Sequence, residues 1–204
     1  MFTGIVQTCA PVVDIIEKPQ LRTLVVSLPE GLRDNLEIGA SVANNGVCLT
    51  VTEQRHDKVF FDVMEETLSK TNLAALQVGD SVNIERSLVF GKEIGGHLVS
   101  GHVHTMATLA EIEQSDTNCR MRLQVEPQWM KYILHKGFVG IDGCSLTVGN
   151  VDAHGFDIHL IPETLRLTNL SERQVGDAIN IEIDSQTQTI VDTVERVLAA
   201  KKLS

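Results

Sequence analysis

Short β-branched and aromatic runs, broken by glycines and by Gly-Asp or Asp-Lys pairs, dominate the hydrophobic pattern of this chain. Leu24-Val25-Val26-Ser27-Leu28, Val59-Phe60-Phe61-Asp62-Val63 and Ser81-Val82-Asn83-Ile84-Glu85 read as strands, and the pairs between such runs supply turns. No long helical periods alternate with them, so the pattern predicts an antiparallel barrel rather than a doubly wound sheet. Closing the sheet also removes its vulnerable edges. Helical turns are predicted at Pro29-Glu30-Gly31-Leu32-Arg33-Asp34-Asn35-Leu36 and at Gln128-Trp129-Met130-Lys131-Tyr132-Ile133-Leu134. From Gln188 onward the period changes. Ile190, Val191, Val194, Val197 and Leu198 fall on one helical face, with Asp192, Glu195 and Arg196 elsewhere.

The chain repeats itself at an offset of 97 residues. Glu66-Thr67-Leu68, Thr71-Asn72-Leu73, Gln77-Val78-Gly79-Asp80 and Asn83-Ile84-Glu85 return as Glu163-Thr164-Leu165, Thr168-Asn169-Leu170, Gln174-Val175-Gly176-Asp177 and Asn180-Ile181-Glu182. Over the 20 positions from 66 to 85 this makes 13 identities, where ordinary composition predicts roughly one by chance. Gly46 and Leu49-Thr50-Val51 pair with Gly143 and Leu146-Thr147-Val148 at the same offset, and Thr3-Gly4 pairs with Ser100-Gly101. The chain is a duplication without insertion or deletion, each copy the length of a small domain. Duplication alone is compatible with two merely packed barrels or with two similar pockets for two similar ligands. The terminal helix lies outside both copies. It can pack on its own barrels or pair with copies of itself, and its position outside the repeats favours self-association.

Composition narrows the partners. Hydrophobic residues make up 43% of the chain and aromatics 4%, so the cores are aliphatic. A net charge of -10, with no competing basic run, argues against nucleic acid or an anionic membrane surface. Met1-Phe2-Thr3-Gly4-Ile5-Val6-Gln7 lacks the charged start and long apolar core of a signal peptide, and no stretch approaches the roughly 18 apolar residues of a membrane helix. Cys9, Cys48, Cys119 and Cys144 form no C-x-x-C pair and read as reduced thiols, which together predicts a cytoplasmic protein.

Candidate chemistry gathers at two places. Cys48 in Asn45-Gly46-Val47-Cys48-Leu49-Thr50-Val51 has Ser145 as its counterpart in Asp142-Gly143-Cys144-Ser145-Leu146-Thr147-Val148. A cysteine in a strand is usually inert filling. Here, however, both copies set a small protic group two residues before a threonine, on one strand face, so Cys48, Thr50, Ser145 and Thr147 read as pocket lining. Gly95-Gly96-His97-Leu98-Val99-Ser100-Gly101-His102-Val103-His104 concentrates three histidines near the junction of the copies. These fit a solvated linker, a metal site or proton transfer. No carboxylate or cysteine stands at ligand spacing, and neither phosphate-loop pattern occurs; proton transfer near neutrality is the better fit. Lys136, Asp142 and Asp184 are candidates for hydroxyl-rich ligands, although each alone also reads as a surface charge.

Several motifs together resemble the riboflavin synthase (alpha chain) family of lumazine-binding barrels. They are Met1-Phe2-Thr3-Gly4-Ile5-Val6, Asn45-Gly46-x-Cys48-Leu49-Thr50-Val51, Gly95-Gly96-His97-Leu98-Val99-Ser100-Gly101-His102, Gly140-Ile141-Asp142-Gly143-x-Ser145-Leu146-Thr147-Val148, Leu160-Ile161-Pro162-Glu163-Thr164-Leu165 and Val191-Asp192-Thr193-Val194-Glu195-Arg196. The resemblance runs over essentially the whole chain and departs at no position expected to be catalytic; Val47 and Cys144 fill variable places. It implies an all-β fold of two tandem six-stranded antiparallel Greek-key barrels (residues 1–97 and 98–187) and a C-terminal oligomerisation helix (188–204) that joins a homotrimer. It implies a transferase that dismutates two 6,7-dimethyl-8-ribityllumazine molecules by four-carbon transfer, giving riboflavin and 5-amino-6-ribitylamino-pyrimidinedione, without metal or organic cofactor.

The same resemblance implies the site residues. One pocket combines Cys48, Leu49, Thr50, Asp62, Val63, Met64, Glu65, Glu66, Thr67, Gly101, His102 and Val103. The other combines Gly4, Ile5, Val6, Ser145, Leu146, Thr147, Ile161, Pro162, Glu163, Thr164, Leu165 and Arg166, with Lys136 nearby; Ser41, Asp142 and Asp184 are further expected substrate-binding residues. Cys48, His102, Ser145 and Thr147 are the expected catalytic set, His102 as proton shuttle and Cys48 or Ser145 as nucleophile or orienting group. A non-catalytic lumazine- or flavin-binding antenna protein of the same fold is the rival.

Overall fold

The computed structural model describes residues 1–115 and 118–201. The first copy contains β1 (Thr8–Lys18), β2 (Leu21–Ser27), α1 (Glu30–Arg33), β3 (Ser41–Asn44), β4 (Val47–Arg55), β5 (Lys58–Met64), α2 (Glu65–Lys70) and β6 (Ser81–Arg86). The second contains β7 (Thr105–Gln114), β8 (Cys119–Gln124), α3 (Pro127–Met130), β9 (Phe138–Ile141), β10 (Cys144–Val151), β11 (Gly155–Leu160), α4 (Pro162–Leu167) and β12 (Ala178–Ile183), followed by α5 (Ser185–Lys201). Each copy closes into a six-stranded antiparallel barrel. The first runs β1-β2-β5-β4-β3-β6, and the second repeats that order as β7-β8-β11-β10-β9-β12. The helical turns expected at 29–36 and 128–134 appear as α1 and α3.

Period-two alternation fills each barrel. Val47, Leu49 and Val51 of β4 and Val59, Phe61 and Val63 of β5 face the first core. Leu146 and Val148 of β10 and Phe156 and Ile158 of β11 face the second. The residues between them, Cys48 and Thr50 in one copy and Ser145 and Thr147 in the other, therefore stand on the outer wall.

The barrels exchange their opening segments. Val6, which precedes β1, is buried in the core of the second barrel, and Val103, which precedes β7, packs against the core of the first. An antiparallel bridge between Phe2 and Val99 ties the two crossing segments together. Where β3–β4 and β9–β10 turn, Gly46 and Gly143 meet backbone to backbone at φ +78° and +83°. A Cβ on either would lie 2.7 Å from the other's amide nitrogen, so this contact admits only glycine.

Around that contact lies a buried polar cluster that obeys the repeat. The Asn72 amide donates to Asn180 Oδ1 (2.8 Å), and the Asn169 amide donates to Asn83 Oδ1 (2.7 Å). Asn83 and Asn180 donate across the interface to the carbonyls of Asp142 and Asn45. The symmetry fails at two positions: Asn45 of the first copy is Asp142 in the second, and Leu76 is Arg173. Asp142 is fully buried and accepts from Asn72 Nδ2 (2.8 Å), the Asn180 amide (2.9 Å) and Arg173 (2.6 Å). Burial pushes its carboxyl up from the usual carboxylate range, against the pull of Arg173. The structure thus places the Asp142 carboxylate, expected to bind substrate, inside the inter-barrel contact, where its oxygens are engaged by these donors. Asp142→Ala strands the Arg173 guanidinium and two buried donors, and is expected to destabilise the fold by about 3–5 kcal/mol. Urea unfolding should shift its midpoint without changing its slope.

The last helix starts at Ser185, three residues ahead of the Gln188 expected from periodicity. Asp184 accepts from the Thr187 amide (2.8 Å) and hydroxyl (2.7 Å) and so caps an earlier first turn. Gln188, Val191, Asp192 and Glu195 face the second barrel, meeting His104, its core, Tyr132 and Lys131. Ile190, Val194, Val197 and Leu198 stay exposed on the other side. Among the described residues, no helix is long and apolar enough to cross a membrane, and all four cysteines are free thiols.

Candidate active sites on the barrel walls

Each outer wall carries a protic side chain roofed by the opening segment of the other copy. In the first barrel, the Cys48 amide donates to the Gly101 carbonyl (2.8 Å); in the second, the Ser145 amide donates to the Gly4 carbonyl (2.7 Å). Both glycines take positive φ, +71° for Gly4 and +84° for Gly101. A Cβ on either would lie 2.5 Å from the Cβ of Ser145 or Cys48, respectively. The tightness of the roof explains why the motif requires glycine at both positions.

The first site is a cavity of about 240 Å³ lined by Val47, Cys48, Glu66, Thr67, Lys70, Thr71, Gly101, His102 and Val103. Cys48 is half-buried and His102 exposed. Met64 and Glu65 are exposed where β5 passes into α2, and Ser41 pairs with Thr50 across β3 and β4. Asp62 lies further along the same wall, in a shallow groove of about 300 Å³ with Thr23 and Thr52, and accepts a hydrogen bond from the Thr23 hydroxyl (2.6 Å). The side chains of Leu49 and Val63 point into the core, so their contribution to a wall site is backbone.

The second site is chemically different. Ser145 Oγ lies 2.6 Å from Nδ1 of His97, whose ring stacks on Phe138 at 5.3 Å. Burial pushes the His97 pKa below its ordinary value, and Asp184 pulls it partly back up. His97 Nε2 is buried without a partner. Thr147 is exposed on the wall, and Leu146 points inward. Ile5 and Ile161 present exposed apolar surface, while Pro162, Glu163, Thr164, Leu165 and Arg166 form α4. There Glu163 pairs with Arg166 (2.6 Å) and Leu165 packs on the core. Lys136 is exposed in the turn before β9, and Asp184 is occupied as the helix cap.

The residues that sequence reasoning passed over are His97, Glu85 and Glu182. His97 stood inside a quoted motif, but its partner is 48 positions away. Glu85 and Glu182 recur at the 97-residue offset, and that recurrence was the available signal. Each accepts a set of hydrogen bonds from an opening segment: Thr3 and Gly4 for Glu85, Ser100 and Gly101 for Glu182. Among the described residues, no group of three or more His, Cys, Asp or Glu side chains is placed to hold a metal ion.

These walls have known relatives. The lumazine binding domain model matches twice, at residues 3–87 and 100–184, and the chain belongs to that family. Within it, the chain is 58% identical to riboflavin synthase of Escherichia coli strain K12, over 99% of this chain and 95% of the relative. It is 46% identical to riboflavin synthase of Buchnera aphidicola subsp. Schizaphis graminum (97% and 96%) and 40% identical to that of Chlamydia pneumoniae (98% and 98%). Among solved structures, LumP complexed with riboflavin aligns with a TM-score of 0.84 at 26% identity, over 91% of this chain and all of that one. LumP with 6,7-dimethyl-8-(1'-D-ribityl) lumazine shares the fold at a TM-score of 0.83 and 24% identity, over the same shares.

Proposed function

We propose that the chain is a transferase that moves a four-carbon unit between two 6,7-dimethyl-8-ribityllumazine molecules, releasing riboflavin and 5-amino-6-ribitylamino-pyrimidinedione. The observation that carries this reading is the pair of wall sites related by the 97-residue offset, each with a protic side chain under a glycine roof. Two sites at equivalent positions suit two identical reactants, and their different side chains suit the different parts the two must play. The full-length similarity to riboflavin synthases supports the same assignment.

The chemistry takes a proton from the C7 methyl of one lumazine, whose carbon then adds to an electrophilic ring carbon of the other. A second carbon–carbon bond closes the new ring as the donor's two C–N bonds break and its nitrogens take up protons to leave as the amines of the pyrimidinedione. Holding the rings together supplies several kcal/mol of the barrier as proximity. On the second wall, the Ser145 hydroxyl relays the proton, taking one from the lumazine as it hands its own to His97 Nδ1, whose ring burial keeps neutral and able to accept. On the first, Cys48 and exposed His102 serve as protic group and shuttle. Thr50, Thr147 and the backbone of the α2 and α4 approaches hold the ring edges.

The sites of one chain stand on two different barrel walls, so the productive pair forms between chains, first barrel against a neighbour's second. The free apolar face of α5 joins three chains, and the protein works in the cytoplasm. Mixing the protein with the lumazine and following riboflavin absorbance tests the assignment. Binding without turnover would instead identify a non-catalytic antenna protein of the same fold. Turnover is expected to survive exhaustive chelation, since the described residues offer no clustered ligand set. Activity lost in EDTA and restored by one metal would overturn the metal-free chemistry.

A further inference from the structure

Glu85 and Glu182 stand at equivalent places in the two copies, each buried on the last strand of its own barrel. Glu85 on β6 accepts from the Thr3 amide (2.7 Å), the Thr3 hydroxyl (2.6 Å) and the Gly4 amide (3.0 Å). Glu182 on β12 accepts from the Ser100 amide (2.6 Å), the Ser100 hydroxyl (2.7 Å) and the Gly101 amide (3.1 Å). Each hydroxyl then accepts from the amide two residues on, Ile5 (3.3 Å) and His102 (3.2 Å). A carboxylate is the one side chain with enough acceptor sites to bind these donors at once, and bonds to a charged acceptor are the strong ones.

The consequence is crossed. Glu85 belongs to the first barrel, but the segment it grips ends on the Gly4 carbonyl that holds Ser145 of the second. Glu182 belongs to the second barrel and, through Gly101, holds Cys48 of the first. Each site therefore depends on a carboxylate rooted in the opposite barrel. We propose that Glu85 and Glu182 are positioning residues of the reaction, each clamping the segment that roofs the other barrel's site and setting the approach of His102 or Ile5. This rests on the functional reading above. It adds that the two sites are coupled through the exchanged segments and are not preformed by their own barrels.

The crossed pattern separates positioning from ordinary structural support, which would damage the barrel that carries the substitution. The test reads each site by a thiol: native Cys48 for the first, and a thiol introduced by Ser145→Cys for the second. Alkylation by iodoacetamide is followed by peptide mass spectrometry, with and without riboflavin as the probe. Glu85→Gln removes one acceptor oxygen and turns an amide group towards the Gly4 N–H. It is expected to raise the riboflavin concentration that protects the thiol at position 145 by roughly tenfold or more, the scale of one charged hydrogen bond, and to leave Cys48 within about twofold. Glu182→Gln is expected to give the mirror image.

Should either variant fail to fold, Thr3→Val and Ser100→Ala remove only the hydroxyl from each clamp. They are expected to show the same crossed direction at smaller size. Protection intact at both thiols, or lost at the thiol of the substituted barrel, overturns the clamp assignment. Riboflavin that protects neither thiol while both glutamates are intact sinks the functional reading instead.

Discussion

Ser145→Ala is expected to lower kcat for the lumazine dismutation by about two to three orders of magnitude, the usual worth of a proton-transfer partner. Riboflavin binding should change far less, because the Ser145 amide still donates to the Gly4 carbonyl and the roof stays in place. Losing kcat and kcat/KM together is the signature of an interaction made only in the transition state. Ser145→Cys keeps a protic group beside His97 Nδ1 and should recover part of the loss. The pH profile adds a sign. Burial lowers the His97 pKa below 6.5, so the neutral ring persists below that pH and the acid limb of kcat falls under the ordinary histidine value. The same shift makes His97 a stabilising feature that is complete above pH 6.5 and lost as pH falls through its folded pKa. Steady-state rates from pH 5 to 8, with flavin fluorescence titrations alongside, check each part. Wild-type turnover in Ser145→Ala at saturating substrate would remove the hydroxyl from the mechanism.

How much of this was legible beforehand depended on whether a residue's partner was local. The barrels were legible because short β-branched runs and turn pairs recur at the 97-residue offset, which maps each strand of the first copy onto its counterpart in the second. Cys48, Thr50, Ser145 and Thr147 were legible as one strand face, since alternation places them together; that this face is the outer wall follows from Leu49 and Leu146 taking the cores. His97 and Ser145 were each visible, but their contact joins the segment between β6 and β7 to β10, and no spacing rule connects them. The asparagine cluster was visible only as repeated letters. A repeat says that two positions have equivalent surroundings, yet it cannot say that those surroundings are each other. Asp142 shows the limit most plainly. Read alone it is an acid beside a glycine turn, and only the meeting of Gly46 with Gly143 buries it. Helix periodicity likewise found α5, but it set Val191 on one face with Ile190, where the structure turns Val191 onto the second barrel, and it missed the start, because the Asp184 cap is side-chain chemistry outside the period.

Those faces of α5 carry the second large prediction. On the proposed assembly, paired substitution of Ile190→Asp and Val194→Asp is expected to leave single chains that bind riboflavin and turn over little at dilution. The two side chains are 64% and 52% exposed and point away from the second barrel, so charging them costs the chain itself almost nothing. The contacts that hold α5 to its own barrel are elsewhere on the helix: Gln188 with His104, Asp192 with Tyr132, Glu195 with Lys131, and Val191 on the core. Thermal unfolding should therefore be nearly unchanged, which truncation of α5 could not promise, since removing Val191 and Asp192 would bare the second barrel. At the centre of an interface, each buried charge costs about 2 kcal/mol or more, and three like helices brought together add mutual repulsion. If the first barrel of one chain meets the second barrel of its neighbour, turnover falls with the fraction of assembled protein and returns as concentration rises. Sedimentation velocity and activity at matched concentrations decide the matter. A fully active monomer would mean that the two walls of one chain complete the site unaided, whereas inactive trimers would give α5 a part in the chemistry itself.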